Sequence, residues 1–353
     1  MLEAGTSPVA PLGRRARAGR AAVLLAALSW LCVVGACGYG PVERALRPAA
    51  TPAEKLSLAA SSTPHAALLH LAEAKGYFAD EGLDVTLVPV SHGKAAIDLL
   101  TQSKVDLAAA AEVPFVISVL QGQDFALAAA VASTSKEMAI VARGDRAISA
   151  PAHLAGKKVG VTPGTSSEYF LWAFLIRHRM GPDAVELVSL PPGRMTQALA
   201  EGQVDAVSTW EPLVSEARAS LGVGAVSFVE PAAYTVMHVL VGSREFLKAR
   251  SGTVSRLLRA LLEAERFSRL QPREAMALAA QRLQLDLATL QPAWQNLRLQ
   301  VDLRQSQLIT LEDEARWARA RGYVAPGAQT NFLPHLHLDA LLSARPERVT
   351  VVH

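Results

Sequence analysis

Cysteine is nearly absent from this 353-residue chain, which has only Cys32 and Cys37. Cys32 falls inside the apolar run at 21–34, which has the character of an export signal, so Cys37 would be the one thiol of a mature chain. One thiol excludes a disulfide framework, a CxxC redox site and a thiolate metal cluster. The nine histidines show no HxxxH or HExxH spacing, and we expect neither a metal nor a cofactor.

Aromatic residues make up only 5% of the chain, and basic residues are in little excess over acidic ones. The formal net charge is +3, but residues 1–36 hold four arginines and one glutamate, which is 4 − 1 = +3. The remaining chain is neutral, 3 − 3 = 0, so no basic surface for nucleic acid is indicated. Half of the residues are hydrophobic, which is typical of a globular α/β protein rich in Ala, Leu and Val.

Residues 1–36 are predicted to be an export signal. The four arginines precede the apolar run, which is shorter than the roughly 20 residues that a membrane-spanning helix needs. Gly35 and Ala36 then precede Cys37, a pattern similar to a bacterial lipoprotein box, in which the signal is cleaved before a lipidated cysteine. We therefore expect a lipid anchor at Cys37 and a location in the periplasm or at the cell surface. An uncleaved signal anchor is the alternative.

Strands and helices alternate after a Pro/Ala-rich tether at 37–54, which predicts a mostly parallel sheet. The same order of elements returns about 100 residues later. Gly193-Arg194 repeats Gly93-Lys94, and Asp205 repeats Asp106. A glutamate stands six residues beyond each of these aspartates, at Glu112 and Glu211. The repeat predicts two similar lobes around a cleft, which is a preferred position for a small-molecule site.

The domain prediction follows from this repeat. Apolar segments at 139–141 and 236–241 are assigned as the two crossovers between the lobes. Beyond residue 243 apolar residues recur at helical spacing, which predicts a helical block packed on lobe one. The predicted units are a signal peptide at 1–36, the tether at 37–54, the first part of lobe one at 55–141, lobe two at 142–238, a return to lobe one with the helical block at 239–342, and a tail at 343–353.

The segment at 154–174 contains a strand, a Pro-Gly turn and a helix that Thr165 opens. Glu168 stands three residues after Thr165, which is the capping-box pattern and places the helix N-terminus here. The first backbone N–H groups of a helix have no internal partner and carry partial positive charge. This turn can therefore hold a small polar or anionic ligand.

The chain resembles the nitrate, aliphatic-sulfonate and taurine group of periplasmic solute-binding proteins that serve ABC importers. The resemblance covers about residues 55–245 and lies in motifs such as Gly76-Tyr-Phe-x-x-Glu81-Gly82, Leu154-Ala-Gly156-Lys-Lys-Val-Gly160-Val, Gly164-Thr-Ser and Gly202-x-Val-Asp205-Ala with Glu211-Pro212. It implies a class II periplasmic-binding-protein-like fold that closes on a solute by hinge motion. It also implies delivery to a permease and its ATPase, by a protein that we expect to be a monomer.

Two other functions are compatible with this resemblance. A sensory binding protein would dock on a membrane receptor in its closed form. Some relatives of the same fold are biosynthetic enzymes of the thiamin-pyrimidine or menaquinone type. The chain shows no Ser-His-Asp spacing, phosphate loop or dinucleotide fingerprint, so we expect it not to be an enzyme.

Candidate ligand-binding residues are those predicted at the carboxyl ends of strands or at helix starts: Ser62, Thr63, His65, Ser91, His92, Glu112, Thr165, Ser166, Arg194, Trp210 and Glu211. Helix N-termini, His92 and Arg194 suit an anion. Glu112 and Glu211, if closure brings them together, suit an amine, because an unpaired buried carboxylate is costly. The sequence therefore favours an amine-bearing or zwitterionic solute of the sulfonate, taurine and nitrate class.

Overall fold

Residues 52–325, 327 and 331–352 are described by the structure, a computed structural model of the chain. The predicted signal peptide, Cys37 and the tether up to residue 51 lie outside the described residues. None of the described helices combines the length and the apolar character that a bilayer span requires.

The described residues form eleven strands: β1 Glu54–Ser61, β2 Leu83–Val90, β3 Leu107–Ala111, β4 Phe125–Thr134, β5 Ala139–Arg143, β6 Lys158–Val161, β7 Glu186–Ser189, β8 Ala206–Thr209, β9 Ala225–Phe228, β10 Val236–Ser243 and β11 Arg298–Asp302. They also form thirteen α-helices: α1 Ala67–Ala74, α2 Tyr77–Asp80, α3 Gly93–Thr101, α4 Glu112–Leu120, α5 Ser166–Arg177, α6 Met195–Ala200, α7 Leu213–Leu221, α8 Arg244–Ala249, α9 Ser251–Leu270, α10 Pro272–Leu283, α11 Leu287–Asn296, α12 Gln305–Ala320 and α13 Asp339–Ala344.

The strands form two sheets whose strand orders correspond. The first sheet has the order β11-β4-β10-β3-β1-β2, and the second has the order β7-β6-β8-β5-β9. In each sheet three neighbouring strands are parallel, namely β2-β1-β3 and β7-β6-β8. The fourth strand along, β10 or β5, is antiparallel to both of its neighbours. The structure thus confirms the internal repeat, but the sheets are mixed, and the predicted mostly parallel arrangement holds for three strands of each.

The chain passes from one sheet to the other twice, and each passage is followed by a strand of the new sheet. Strand β5 follows β4 along the chain but lies in the second sheet, and β10 follows β9 but lies in the first. The changes occur at 135–138 and 229–235. The predicted boundaries after residues 141 and 238 therefore fall inside β5 and β10, because the apolar segments assigned as crossovers are themselves strands.

The repeated aspartates perform the same task in both sheets. Asp106 Oδ2 accepts hydrogen bonds from the backbone N and the Oγ of Ser57, at 2.7 and 2.6 Å. Asp205 Oδ2 accepts from the backbone N of Lys158 at 2.9 Å. Each aspartate precedes one strand and bonds to the parallel neighbour of that strand, which fixes the register between them. Both aspartates therefore hydrogen-bond across the sheet.

The C-terminal helical block packs on the first sheet, as predicted, and it also reaches the second. Leu257 and Leu261 of α9 belong to the same buried cluster as Leu58 of β1. Helix α12 behaves differently, because Trp317 lies in a buried cluster with Phe170 of α5. Strand β11 was not predicted. It pairs with β4 at the edge of the first sheet, between two segments whose apolar residues recur at helical spacing.

Candidate functional site

A pocket lies where the carboxyl ends of strands from both sheets meet. It contains about 450 Å³ that no protein atom fills, part of it open to solvent. We call it the inner pocket. One part of its wall is apolar and consists of Ala111, Pro114, Met138, Trp210 and Val236.

The segment after β1 supplies hydroxyl groups and an imidazole. Ser61, Thr63 and His65 line the inner pocket. Ser61 Oγ and Thr63 Oγ1 are 2.8 Å apart, and Thr63 Oγ1 is 3.4 Å from His65 Nδ1. Pro64 begins a 3₁₀ turn here, since its φ is preset for a helical start. The turn holds the three polar side chains in one connected row.

His65 belongs to a buried cluster with Glu137 and His238. His65 Nε2 forms an ion pair with Glu137 Oε2, and the two side chains are 5% and 7% exposed. The rings of His65 and His238 stack, with centroids 4.2 Å apart and planes 11° apart. Burial, with a smaller contribution from His65, holds the pKa of His238 well below its usual range. His238 is therefore neutral at pH 7, and its Nδ1 has no hydrogen-bond partner among the described residues.

The start of α3 approaches the pocket closely. His92, Gly93 and Lys94 line it. A Cβ on Gly93 would lie 2.8 Å from the backbone N of Ala111, so only glycine lets the helix start pack against the end of β3. Lys94 Nζ is 3.1 Å from the carboxylate of Asp98. Burial, followed by the charge of Lys94, lowers the pKa of His92.

The start of α5 faces the pocket from the second sheet. Thr165 is the N-cap and accepts a hydrogen bond from the backbone N of Ser167, as the sequence predicts. The second half of the predicted capping box differs, because Glu168 Oε2 accepts from the backbone N of Gly164 instead. Tyr323 also donates to Glu168, so this carboxylate is used in packing. Thr165 and Ser166 line the inner pocket at the positive end of the helix.

The inner pocket therefore suits a small polar group with negative charge. Two helix N-termini, several hydroxyls and Lys94 favour an anion. Glu137 is the one carboxylate among the described lining residues, and His65 already pairs with it. The described residues hold no group of three or more His, Cys, Asp or Glu side chains that could bind a metal ion.

Six of the predicted binding residues line the inner pocket: Thr63, His65, His92, Thr165, Ser166 and Trp210. Three others are exposed and do not line it: Ser62, Ser91 and Arg194. Ser91 contacts the site indirectly, because its Oγ is 2.8 Å from His92 Nδ1. Glu211 lines a neighbouring cavity, and its Oε2 accepts from the backbone N of Ser215.

Glu112 is fully buried beside the pocket and does not line it. Its Oε1 accepts from the Tyr234 hydroxyl at 2.6 Å and from the backbone N of Met237 at 3.0 Å. Glu314 is also fully buried, and burial, followed by the charge of Glu112, raises the pKa of its carboxyl. Burial raises the pKa of Glu112 to about 8. Glu112 and Glu211 do not share a cavity, so the predicted preference for an amine-bearing solute loses its structural basis.

The sequence interpretation missed Glu137 and His238. Glu137 lies in the first change of sheet, and His238 lies in an otherwise apolar strand. A histidine within such a strand is a usable signal, because an unpaired buried imidazole is costly. His238 belongs to no HxxxH or HExxH spacing, so the histidine motifs of metal sites do not reveal it.

A family model described as NMT1/THI5 like matches residues 63–275, which are 213 of the 353 residues. The chain belongs to the NMT1/THI5-like family. The matched region of this NMT1/THI5-like protein includes every inner-pocket residue except Ser61.

Two curated relatives match part of the NMT1/THI5-like chain. A Brucella abortus protein named provisionally as a binding protein is 28% identical over 149 residues, which are 41% of this chain and 46% of that protein. A Bacillus subtilis protein named provisionally as an aliphatic sulfonates-binding protein is 27% identical over 151 residues, which are 42% and 46%. The chain thus spans about half the length of the curated relatives it matches.

Solved structures share the fold of the NMT1/THI5-like chain. The periplasmic aliphatic sulphonate binding protein SsuA of Escherichia coli has a TM-score of 0.70 and 18% identity, covering 80% of this chain and 92% of that one. The desulfurization enzyme DSZB has a TM-score of 0.62 and 19% identity, covering 83% and 99%. The predicted periplasmic-binding-protein-like α/β fold is therefore confirmed. Since the fold occurs in binding proteins and in an enzyme, function depends on the site.

Proposed function

We propose that the protein is the extracytoplasmic solute-binding component of an ABC importer. It captures a small solute of the sulfonate, taurine and nitrate class in the inner pocket and delivers it to the permease and ATPase subunits. The observation that carries this proposal is the lining of the pocket, because the N-termini of α3 and α5 line it from the two sheets. A solute that contacts both favours a closed arrangement of the two halves.

The same observation supports two lobes that move about the changes of sheet. Lobe one would contain the first sheet, and lobe two the second, joined at 135–138 and 229–235. Two short connections restrain such lobes to a hinge motion. We also propose that the protein is a monomer with a lipid anchor at Cys37. The anchor would hold the pocket outside the membrane.

The head group of the solute is proposed to be an anion. The pocket offers hydroxyls, helix N-termini and Lys94, while its one described carboxylate is paired. The names of the Bacillus subtilis relative and of the Escherichia coli structural neighbour, which refer to sulfonates, agree with this chemistry.

We further propose that the protein is a binding protein without catalytic activity. Both cysteines precede residue 52, so the inner pocket has no thiol nucleophile. Its neutral His238 stacks on His65. Its described hydroxyls bond to one another, to the backbone or, at Ser166, to the Tyr234 hydroxyl. Conversion of a bound sulfonate to sulfite by the purified protein would contradict this.

Isothermal titration calorimetry with methanesulfonate, taurine, nitrate and ethylamine tests the proposed function. We expect the anions to bind and ethylamine not to bind. The repeat supplies a matched pair of variants, because Lys94 lines the pocket and its counterpart Arg194 is exposed. Lys94→Met should weaken anion binding about tenfold, since a charge-assisted contact is lost. Arg194→Met should leave the affinity unchanged, and equal losses in both variants would contradict the assigned site.

A further inference from the structure

A second cavity lies next to the inner pocket and is larger. It contains about 760 Å³ that no protein atom fills, including space open to solvent. We call it the outer chamber. It is bounded by helix α7, by the end of α11 and by both changes of sheet. Val214, Val229 and Leu297 give it apolar surface, and Glu211, Arg218 and Asn296 give it polar groups.

The backbone of three segments runs between the inner pocket and the outer chamber. In each segment, consecutive residues line opposite cavities: Thr63 and Pro64, Met138 and Ala139, and Trp210 and Glu211. Neighbouring side chains of an extended or turning backbone point in different directions, so each segment presents one face to each cavity. The backbones form the fixed parts of a partition.

The side chains of His65 and Glu137 complete this partition. Of the described residues, these two alone line both cavities. Both are buried, and their ion pair joins the segment after β1 to the first change of sheet. The contact of His65 Nδ1 with Thr63 and the stacking of its ring on His238 hold the imidazole in place. A solute in the inner pocket therefore meets two restrained side chains where the chamber begins.

We propose that the His65–Glu137 pair limits the length of the solute. This inference rests on the proposed solute-binding function and narrows it to compact anions whose tail ends at the partition. An aliphatic tail of several carbon atoms would have to displace a buried ion pair to enter the chamber, and that displacement is costly. With the partition removed, the same tail reaches the apolar surface of Val214, Val229 and Leu297. The pair is thus a specificity determinant for length.

Calorimetry with ethanesulfonate and n-octanesulfonate tests this proposal on the full chain. The wild type should bind ethanesulfonate more tightly. In the double variant His65→Ala/Glu137→Ala, which leaves no unpaired buried charge, the affinity ratio should shift towards octanesulfonate by about tenfold or more, since each added buried methylene contributes to binding. Glu137→Gln keeps the volume of the partition but removes its ion pair, so it should shift the ratio in the same direction and by less than the double variant.

Two results would overturn the proposal. The first is equal affinity of the wild type for both sulfonates, a measurement that does not depend on the folding of any variant. The second is a double variant with the same affinity ratio as the wild type. If neither protein binds any sulfonate, the proposed function fails and crystal structures decide the partition. Separate cavities in the wild type and one continuous cavity in the double variant would then support it, and two cavities in both would refute it.

Discussion

Replacing Glu112 by glutamine is expected to make the stability of the protein less dependent on pH. Glu112 and Glu314 are both fully buried. Burial raises the pKa of both carboxyls, that of Glu112 to about 8. In the unfolded chain Glu112 loses its proton near the ordinary value of 4.5. Between these two values the folded protein therefore holds more protons than the unfolded chain.

The sign and size follow from linkage between protonation and folding. Because the folded-state pKa is raised, the stabilisation by the protonated carboxyl is complete below pH 4.5 and is lost as the pH rises towards 8. Each retained proton changes the free energy of unfolding by ~1.4 kcal/mol per pH unit. Glu112 should thus lower stability by about 3 kcal/mol between pH 5.5 and 7.5.

Glutamine at position 112 imitates the protonated carboxyl. Its carbonyl oxygen can accept from the Tyr234 hydroxyl and the backbone N of Met237, as Glu112 Oε1 does. Urea denaturation should show a slope of stability against pH that is smaller by ~1.4 kcal/mol per unit than in the wild type. Glu216→Gln, at an exposed position, should leave the slope unchanged. A Glu112→Gln variant with the wild-type slope would refute the assignment of a buried protonated carboxyl.

Three further predictions follow, and the first two compare positions that the repeat pairs. Gly93→Ala should cost about 1–3 kcal/mol of stability in urea denaturation, because its Cβ would meet the backbone of Ala110 and Ala111, whereas Gly193→Ala, with no atom within 4 Å, should cost little. Asp106→Ala removes two hydrogen bonds from Ser57 and should destabilise by about 2–4 kcal/mol in the same assay, more than Asp205→Ala, which removes one. Trp210→Ala should weaken solute binding about tenfold in calorimetry while the circular dichroism spectrum stays unchanged. A larger loss of stability in Gly193→Ala than in Gly93→Ala, or in Asp205→Ala than in Asp106→Ala, would contradict these assignments. Wild-type affinity in Trp210→Ala would do the same.

The fold was largely predictable from the sequence because local residue patterns reveal its internal repeat. Glycines, helix caps and the aspartates at the strand starts recur in order, and the two sheets share a strand order. The exchange of β5 and β10 between the sheets was not predictable. An apolar segment of four to eight residues looks the same whether it crosses between sheets or pairs as a strand. Only pairing partners far along the chain decide between the two.

The site was predictable where it depends on strand ends and helix starts. Thr63, His92 and Thr165 line the pocket because the carboxyl ends of parallel strands meet at one edge of a sheet. Arg194 does not line the pocket, although Gly193-Arg194 repeats Gly93-Lys94. Helix α3 starts directly at Gly93, whereas a 3₁₀ turn at Pro192–Arg194 precedes α6 and leaves Arg194 exposed.

The sequence by itself determined the two αβ units, their caps and the polar loops at the strand ends, since these depend on residues close together in the chain. The tertiary structure alone decided which side of a backbone faces the solute. It places Glu211 in the outer chamber while Trp210 faces the inner pocket, and it pairs Glu137 with His65 across the first change of sheet. Such placements depend on packing between distant segments, because a turn of the backbone by one residue moves a charged side chain from one cavity to the other.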